Sequence, residues 1–124
     1  MSERTIFLVD DSELILSMVS AALQTAGYKV RALARWEALN AELEQSKPDM
    51  ILMDINMPEM TGDSALSFFR EARGLEDVPI YLYSDIDIRA LERRAEACGA
   101  DGFISKGWGI ERLMSEVEQV LAGD

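Results

Sequence analysis

The sequence has no histidine. That absence removes imidazole acid–base chemistry, most zinc sites and any phosphohistidine formed within the chain. There is one cysteine, Cys98, so no intrachain disulfide can form. Within "AEACGAD", at an expected helix end, Cys98 reads as a small buried hydrophobe with no imidazole to activate it. No apolar run reaches the roughly 18 residues of a membrane span. The N-terminal "MSERTIFLVDDS" holds an apolar run too short for a secretion signal, and no small-residue cleavage site follows. Positive charge is scarce: 12 Lys and Arg against 23 Asp and Glu leave a formal charge of −11. This balance disfavours nucleic acid and anionic membrane surfaces as partners. A cytoplasmic protein is expected, with chemistry resting on carboxylates, hydroxyls, lysine and metal ions.

What is present is a regular alternation. A length of 124 residues suits a single domain, 1–124, with a real core and no staples. "TIFLV" (5–9), "MILM" (50–53) and "IYLY" (80–83) are continuous apolar runs, as in parallel strands buried on both faces. "YKVRAL" (28–33) alternates and reads as an edge strand, and "GFIS" (102–105) as the other edge. Between them lie helical stripes. Ile15, Met18, Val19, Ala22, Leu23 and Ala26 precede Gly27, and Trp36, Leu39 and Leu43 precede Pro48. Leu66, Phe69 and Ala72 precede Gly74, while Ile88, Leu91, Ala95 and Cys98 precede Gly99. Ile110, Leu113, Val117 and Val120 form the last stripe. The pattern predicts a (βα)5 doubly wound parallel sheet with right-handed crossovers. Edge character for strands two and five fits the order 2-1-3-4-5 of flavodoxin-like folds.

Such folds place their crevice at the carboxyl ends of the strands. Strand one ends in Asp10 and Asp11, and strand three in Asp54 with Asn56 two residues on. Strand four ends in Ser84, and strand five in Ser105 and Lys106. Taken alone, Asp11 or Ser12 reads as an N-cap, Ser84 as a turn hydroxyl and Lys106 as a solvated charge. Together they put three carboxylates, a hydroxyl and an ammonium in one crevice. Two carboxylates about 5 Å apart repel by roughly 3 kcal/mol at an effective dielectric near 20. The cluster therefore needs a cation or a shared proton. An all-oxygen donor set points to Mg²⁺ or Mn²⁺, which leaves room for phosphate oxygens. A carboxylate can act as nucleophile and form an aspartyl phosphate.

"FLVDDS" (7–12), "ILMDINMPEMTG" (51–62), "YLYSD" (81–85) and "GFISKG" (102–107) together resemble a bacterial two-component response-regulator receiver domain. The resemblance implies that Asp54 is the phosphoacceptor. It implies Asp11 and Asp54 as direct Mg²⁺ ligands, the Asn56 backbone carbonyl as a third, and Asp10 as a ligand through water. Ser84 and Lys106 would hold the phosphoryl oxygens, and Phe103 would be the switch aromatic. A sensor histidine kinase or phosphotransfer protein would donate the phosphoryl group. A downstream protein or fused output domain would read the fourth helix, fifth strand and fifth helix, where Arg89, Arg93, Arg94 and Trp108 are candidates. Dimerisation through that face stays open.

Two positions depart from the family pattern. Gly107 stands where proline usually follows the lysine, so a trans Lys106–Gly107 peptide is expected. Asp85 stands where a small residue is usual and adds bulk and negative charge beside the site. An alternative is thus a phosphorylation-independent interaction module on the same fold. A small-molecule phosphohydrolase fits less well, because Asp10 and Asp11 are adjacent and 124 residues leave no room for a cap domain.

Overall fold

The computed structural model describes residues 3–122. The chain runs β1 (Thr5–Val9), α1 (Glu13–Thr25), β2 (Lys29–Leu33), α2 (Trp36–Gln45), β3 (Met50–Met53), α3 (Gly62–Arg73), β4 (Ile80–Ser84), α4 (Ile88–Cys98), β5 (Gly102–Ser105) and α5 (Ile110–Ala122). The five strands form one parallel sheet in the order β2-β1-β3-β4-β5. The alternation of apolar runs and stripes is the cause. Every residue of β3 is buried, since β3 is covered on both faces and paired on both sides. In β2 the charged Lys29 and Arg31 are exposed, as suits an edge.

Strand side chains alternate between the faces, which separates two cores. One joins Phe7, Val9, Ile51, Met53, Ile80 and Leu82 to residues of α2, α3 and α4. The other joins Ile6, Leu8, Met50, Leu52, Tyr83 and Ile104 to residues of α1 and α5. Helix ends follow the expected punctuation. Ser12 caps α1, its hydroxyl accepting from the Ile15 amide at 3.2 Å. Gly74 and Gly99 close α3 and α4 in the left-handed conformation, at φ 64° and 79°.

Several details differ from the stripes. In α3, Ala72 is exposed, and Ala65 fills the core position instead. In α4, Ile88 is the first helical residue and is 46 % exposed. Met18 of α1 likewise faces solvent, and Cys98 is only half-buried. In α5, Leu121 rather than Val120 is buried. Strand β4 does end in Ser84, as expected. A single 3-10 turn, Lys106–Trp108, was not signalled by any periodicity. The described residues contain no cis peptide bond, so Lys106–Gly107 is trans, as glycine there requires.

Arg94 is not a free member of the α4 surface. Its guanidinium donates twice to Asp63 of α3, at 2.8 and 2.9 Å. That fork holds the Asp63 carboxyl below its ordinary value of 3.8. The pair's contribution is therefore present above that value and lost as pH falls below it. Asp63→Asn is expected to cost about 1 kcal/mol at neutral pH in urea melts, since the pair is partly exposed. The gap between variant and native protein should close in acid. A gap independent of pH would mean the ion pair is not its source.

Candidate functional site

The sheet's own hydrogen bonds carry on into the site. The Asp54 amide donates to the Val9 carbonyl at 2.9 Å, and the Asp10 amide to the Leu33 carbonyl at 3.0 Å. Both acids are thereby fixed as extensions of inner strands. Asp10 is fully buried and Asp54 is 3 % exposed, whereas Asp11 lies open to solvent. Carboxylate oxygens of Asp10, Asp11 and Asp54 all lie within 4.8 Å of one another.

Lys106 enters this cluster from the edge strand. Its Nζ is 2.7 Å from Asp10 Oδ2 and 3.5 Å from Asp54 Oδ1. The ring of Tyr83 lies beneath the same ammonium, with its centroid 5.5 Å away. The Asp10 contact is ionic and poorly aligned, so Asp10 Oδ2 has no hydrogen-bond partner despite its burial. Burial first, and then the Asp10 charge, pushes Asp54 up to about 6, against the lowering effect of Lys106 and the Asn56 amide. Burial works against the Lys106 ammonium, but the Asp10 and Asp54 carboxylates outweigh it and hold its pKa above the ordinary lysine value. Burial, then Asp10 and Asp54, pushes the Tyr83 phenol up to about 12, so it stays neutral.

The loop after β3 is held tightly. The Asn56 amide donates to Asp54 Oδ1 at 3.3 Å, and the Gly62 amide donates to the Ile55 carbonyl at 2.9 Å. The Trp36 indole N–H donates to the Met60 carbonyl at 2.9 Å, tying the loop to α2. Ser84 is fully buried, and its hydroxyl accepts from the Ile86 amide at 3.3 Å. Phe103 packs partly buried against the core shared with α4, with its ring 5.9 Å from that of Trp108. The Arg112 guanidinium stacks on the other aromatic, 4.1 Å from the Trp108 ring. Asp85 is exposed.

The structure thus brings Asp10, Asp11, Asp54 and Lys106 into one cluster, with Ser84 and Phe103 on neighbouring strands. Tyr83 and Trp36 are the site neighbours that sequence reasoning passed over. Strand parity could have flagged Tyr83, which faces away from Ile80 and Leu82. Nothing local marks Trp36, whose partner is 24 residues away. The donor set fits a hard divalent cation: the oxygens are carboxylate, they converge, and one buried oxygen lacks an aligned donor.

Fold and site together define a doubly wound α/β domain with an acid–lysine crevice at the carboxyl ends of its strands. Residues 6–118 match the model of the response regulator receiver domain, and the chain belongs to that family. The transcriptional regulatory protein YvcP of Bacillus subtilis is 31 % identical over 116 residues, covering 94 % of this chain and 48 % of YvcP. The chain therefore spans about half the length of that relative. The polar-differentiation response regulator DivK of Brucella ovis is 26 % identical, covering 95 % of this chain and 96 % of DivK. Among solved structures, chemotaxis protein CheY4 of Vibrio cholerae superposes with a TM-score of 0.88 at 31 % identity, covering 97 % of this chain and all of CheY4. The chain is a receiver domain of the CheY-like kind. Among the described residues, no helix is long and apolar enough to cross a membrane.

Proposed function

We propose that residues 1–124 act as one phosphoacceptor switch. Asp54 takes a phosphoryl group from a histidine kinase or phosphotransfer protein, and the modified site alters the surface of α4, β5 and α5. The carrying observation is the buried Asp10–Asp54–Lys106 group at the strand ends. Near neutral pH and above, Asp54 is mostly ionised and can act as a nucleophile. One of its oxygens attacks phosphorus. An O–P bond forms as the donor's P–N bond breaks, and the departing imidazole takes up a proton. The loose transition state of this transfer needs positioning and charge neutralisation above all. Lys106 supplies a fixed positive charge on one side. Ser84 keeps its own O–H proton to donate to a phosphoryl oxygen, since its oxygen is the acceptor for Ile86. Asp10, Asp11, Asp54 and the Asn56 carbonyl would hold Mg²⁺ or Mn²⁺, which when bound supplies positive charge for the phosphoryl oxygens. Attack of water on phosphorus would later release phosphate and restore the carboxylate.

Movement of Ser84 toward the new dianion would open space that Phe103 can fill, coupling the site to the α4–β5–α5 face. On that face Arg89, Arg93 and Trp108 are the candidates for reading by an output protein or domain. The test is incubation with Mg²⁺ and acetyl phosphate, read by intact mass, with beryllofluoride and tryptophan fluorescence covering a short-lived adduct. One phosphoryl adduct on the native chain and none on Asp54→Ala is expected. Silence toward both reagents, or an adduct that survives Asp54→Ala, would sink the reading. Partner binding indifferent to both Asp54→Ala and beryllofluoride would favour a phosphorylation-independent module.

A further inference from the structure

Lys106 has an unusual third neighbour. Two of the groups around its ammonium are the carboxylates of Asp10 and Asp54. The third is the aromatic face of Tyr83, which is itself 4 % exposed. The backbone gives this lysine little restraint. It leaves the edge strand β5 directly into a single 3-10 turn, and the next residue is Gly107. The hydrogen bonds at that turn are long: the Gly107 amide donates to the Ser105 hydroxyl at 3.2 Å, and the Gly109 amide to the Lys106 carbonyl at 3.4 Å. The ring, by contrast, is firmly placed. Tyr83 lies in β4, is paired in register with Ile104, and packs in the core shared with α1 and α5. Its phenol stays neutral at all ordinary pH, so it adds no charge of its own.

From this geometry we infer that Tyr83 is a positioning residue: its ring face holds the Lys106 ammonium in place against Asp54. A cation within about 6 Å of a ring centroid is attracted by the ring's quadrupole, more so when desolvated. Lys106 keeps only 15 % of its side chain exposed, so the attraction acts with little screening. The consequence for phosphoryl transfer rests on the function proposed above; the seating of the lysine does not.

Two measurements separate this role from ordinary core packing. The first is competitive acetylation with acetic anhydride, read by peptide mass. The chain has three lysines, and the exposed Lys29 and Lys47 serve as internal references. Lys106 should be protected in the native chain and in Tyr83→Phe, which keeps the ring. In Tyr83→Leu it should react about fivefold faster relative to the references. Equal protection in Tyr83→Leu overturns the inference. The second is the initial rate of acetyl phosphate labelling in Mg²⁺ for the native chain, Tyr83→Leu, Lys106→Met and the double variant. Tyr83→Leu should slow labelling about fivefold in the native background and have no effect once Lys106 is gone. An equal fall in both backgrounds would show a packing effect and overturn the positioning role. If the native chain takes no phosphoryl group, the proposed function fails, while acetylation still decides whether Tyr83 seats Lys106.

Discussion

Gly62→Ala is expected to destabilise the domain by about 3 kcal/mol or more, as lower midpoints in urea melts. Helix propensity alone predicts the opposite. Alanine is favoured over glycine by about 1 kcal/mol inside a helix, and Gly62 is the first residue of α3. Space decides the sign. A Cβ on Gly62 would stand 2.0 Å from the Asp54 carbonyl oxygen and 2.8 Å from its carbonyl carbon. Both obstacles are backbone, so no rotamer relieves them. Either α3 retreats, breaking the bond from the Gly62 amide to the Ile55 carbonyl, or the peptide after Asp54 turns. The second movement would displace the Asp54 side chain as well. Gly107→Ala is the matched control. Its Cβ would meet only the Ser105 hydroxyl at 3.5 Å, an ordinary contact, and little change is expected. Similar losses in the two variants would mean that the close approach at Gly62 is not the reason.

Lys106→Met is the second large effect. Methionine keeps the length and most of the volume of the lysine stem but removes its charge. Asp10 and Asp54 would then face each other with side chains 0 % and 4 % exposed and no cation between them. Removing one partner from a buried ion group typically costs about 3–5 kcal/mol. A loss near the lower end is expected in EDTA at neutral pH, since Asp54 can relieve part of it by taking a proton. Adding Asp54→Asn to Lys106→Met should recover much of the stability. Millimolar Mg²⁺ should raise the melting temperature of Lys106→Met through binding to the folded state. Unchanged stability of Lys106→Met in EDTA would show that the lysine does not neutralise the acids.

Much of this was legible because local pattern and global fold agree. The continuous runs of β1 and β3 fixed their burial on both faces, and the charged alternation of β2 fixed its place at the edge. Asp10, Asp11, Asp54, Ser84 and Lys106 were legible for one reason: each stands at a strand end, and topology brings strand ends together. What was not legible depends on contacts across the chain. Arg94 looked like a surface charge until Asp63, 31 residues away, was seen to bind it. Tyr83 looked like one more apolar residue of β4, since the sequence does not say which ring lies under which cation. Ala72 and Ile88 satisfied a helical stripe but fell where neither sheet nor neighbouring helix covers them. The 3-10 turn after β5 is too short for any period to announce it.

The order of the strands has a mechanical consequence for the crevice. Asp10 and Asp54 extend β1 and β3, each of which is hydrogen-bonded to a neighbour on both sides. Lys106 follows β5, which is bonded on one side only. The negative half of the crevice is thus built onto inner strands, and the positive half onto an edge strand. Under the function proposed above, a rearrangement in response to a new charge is expected on the lysine side, toward α4 and α5, with the acids held by the inner strands.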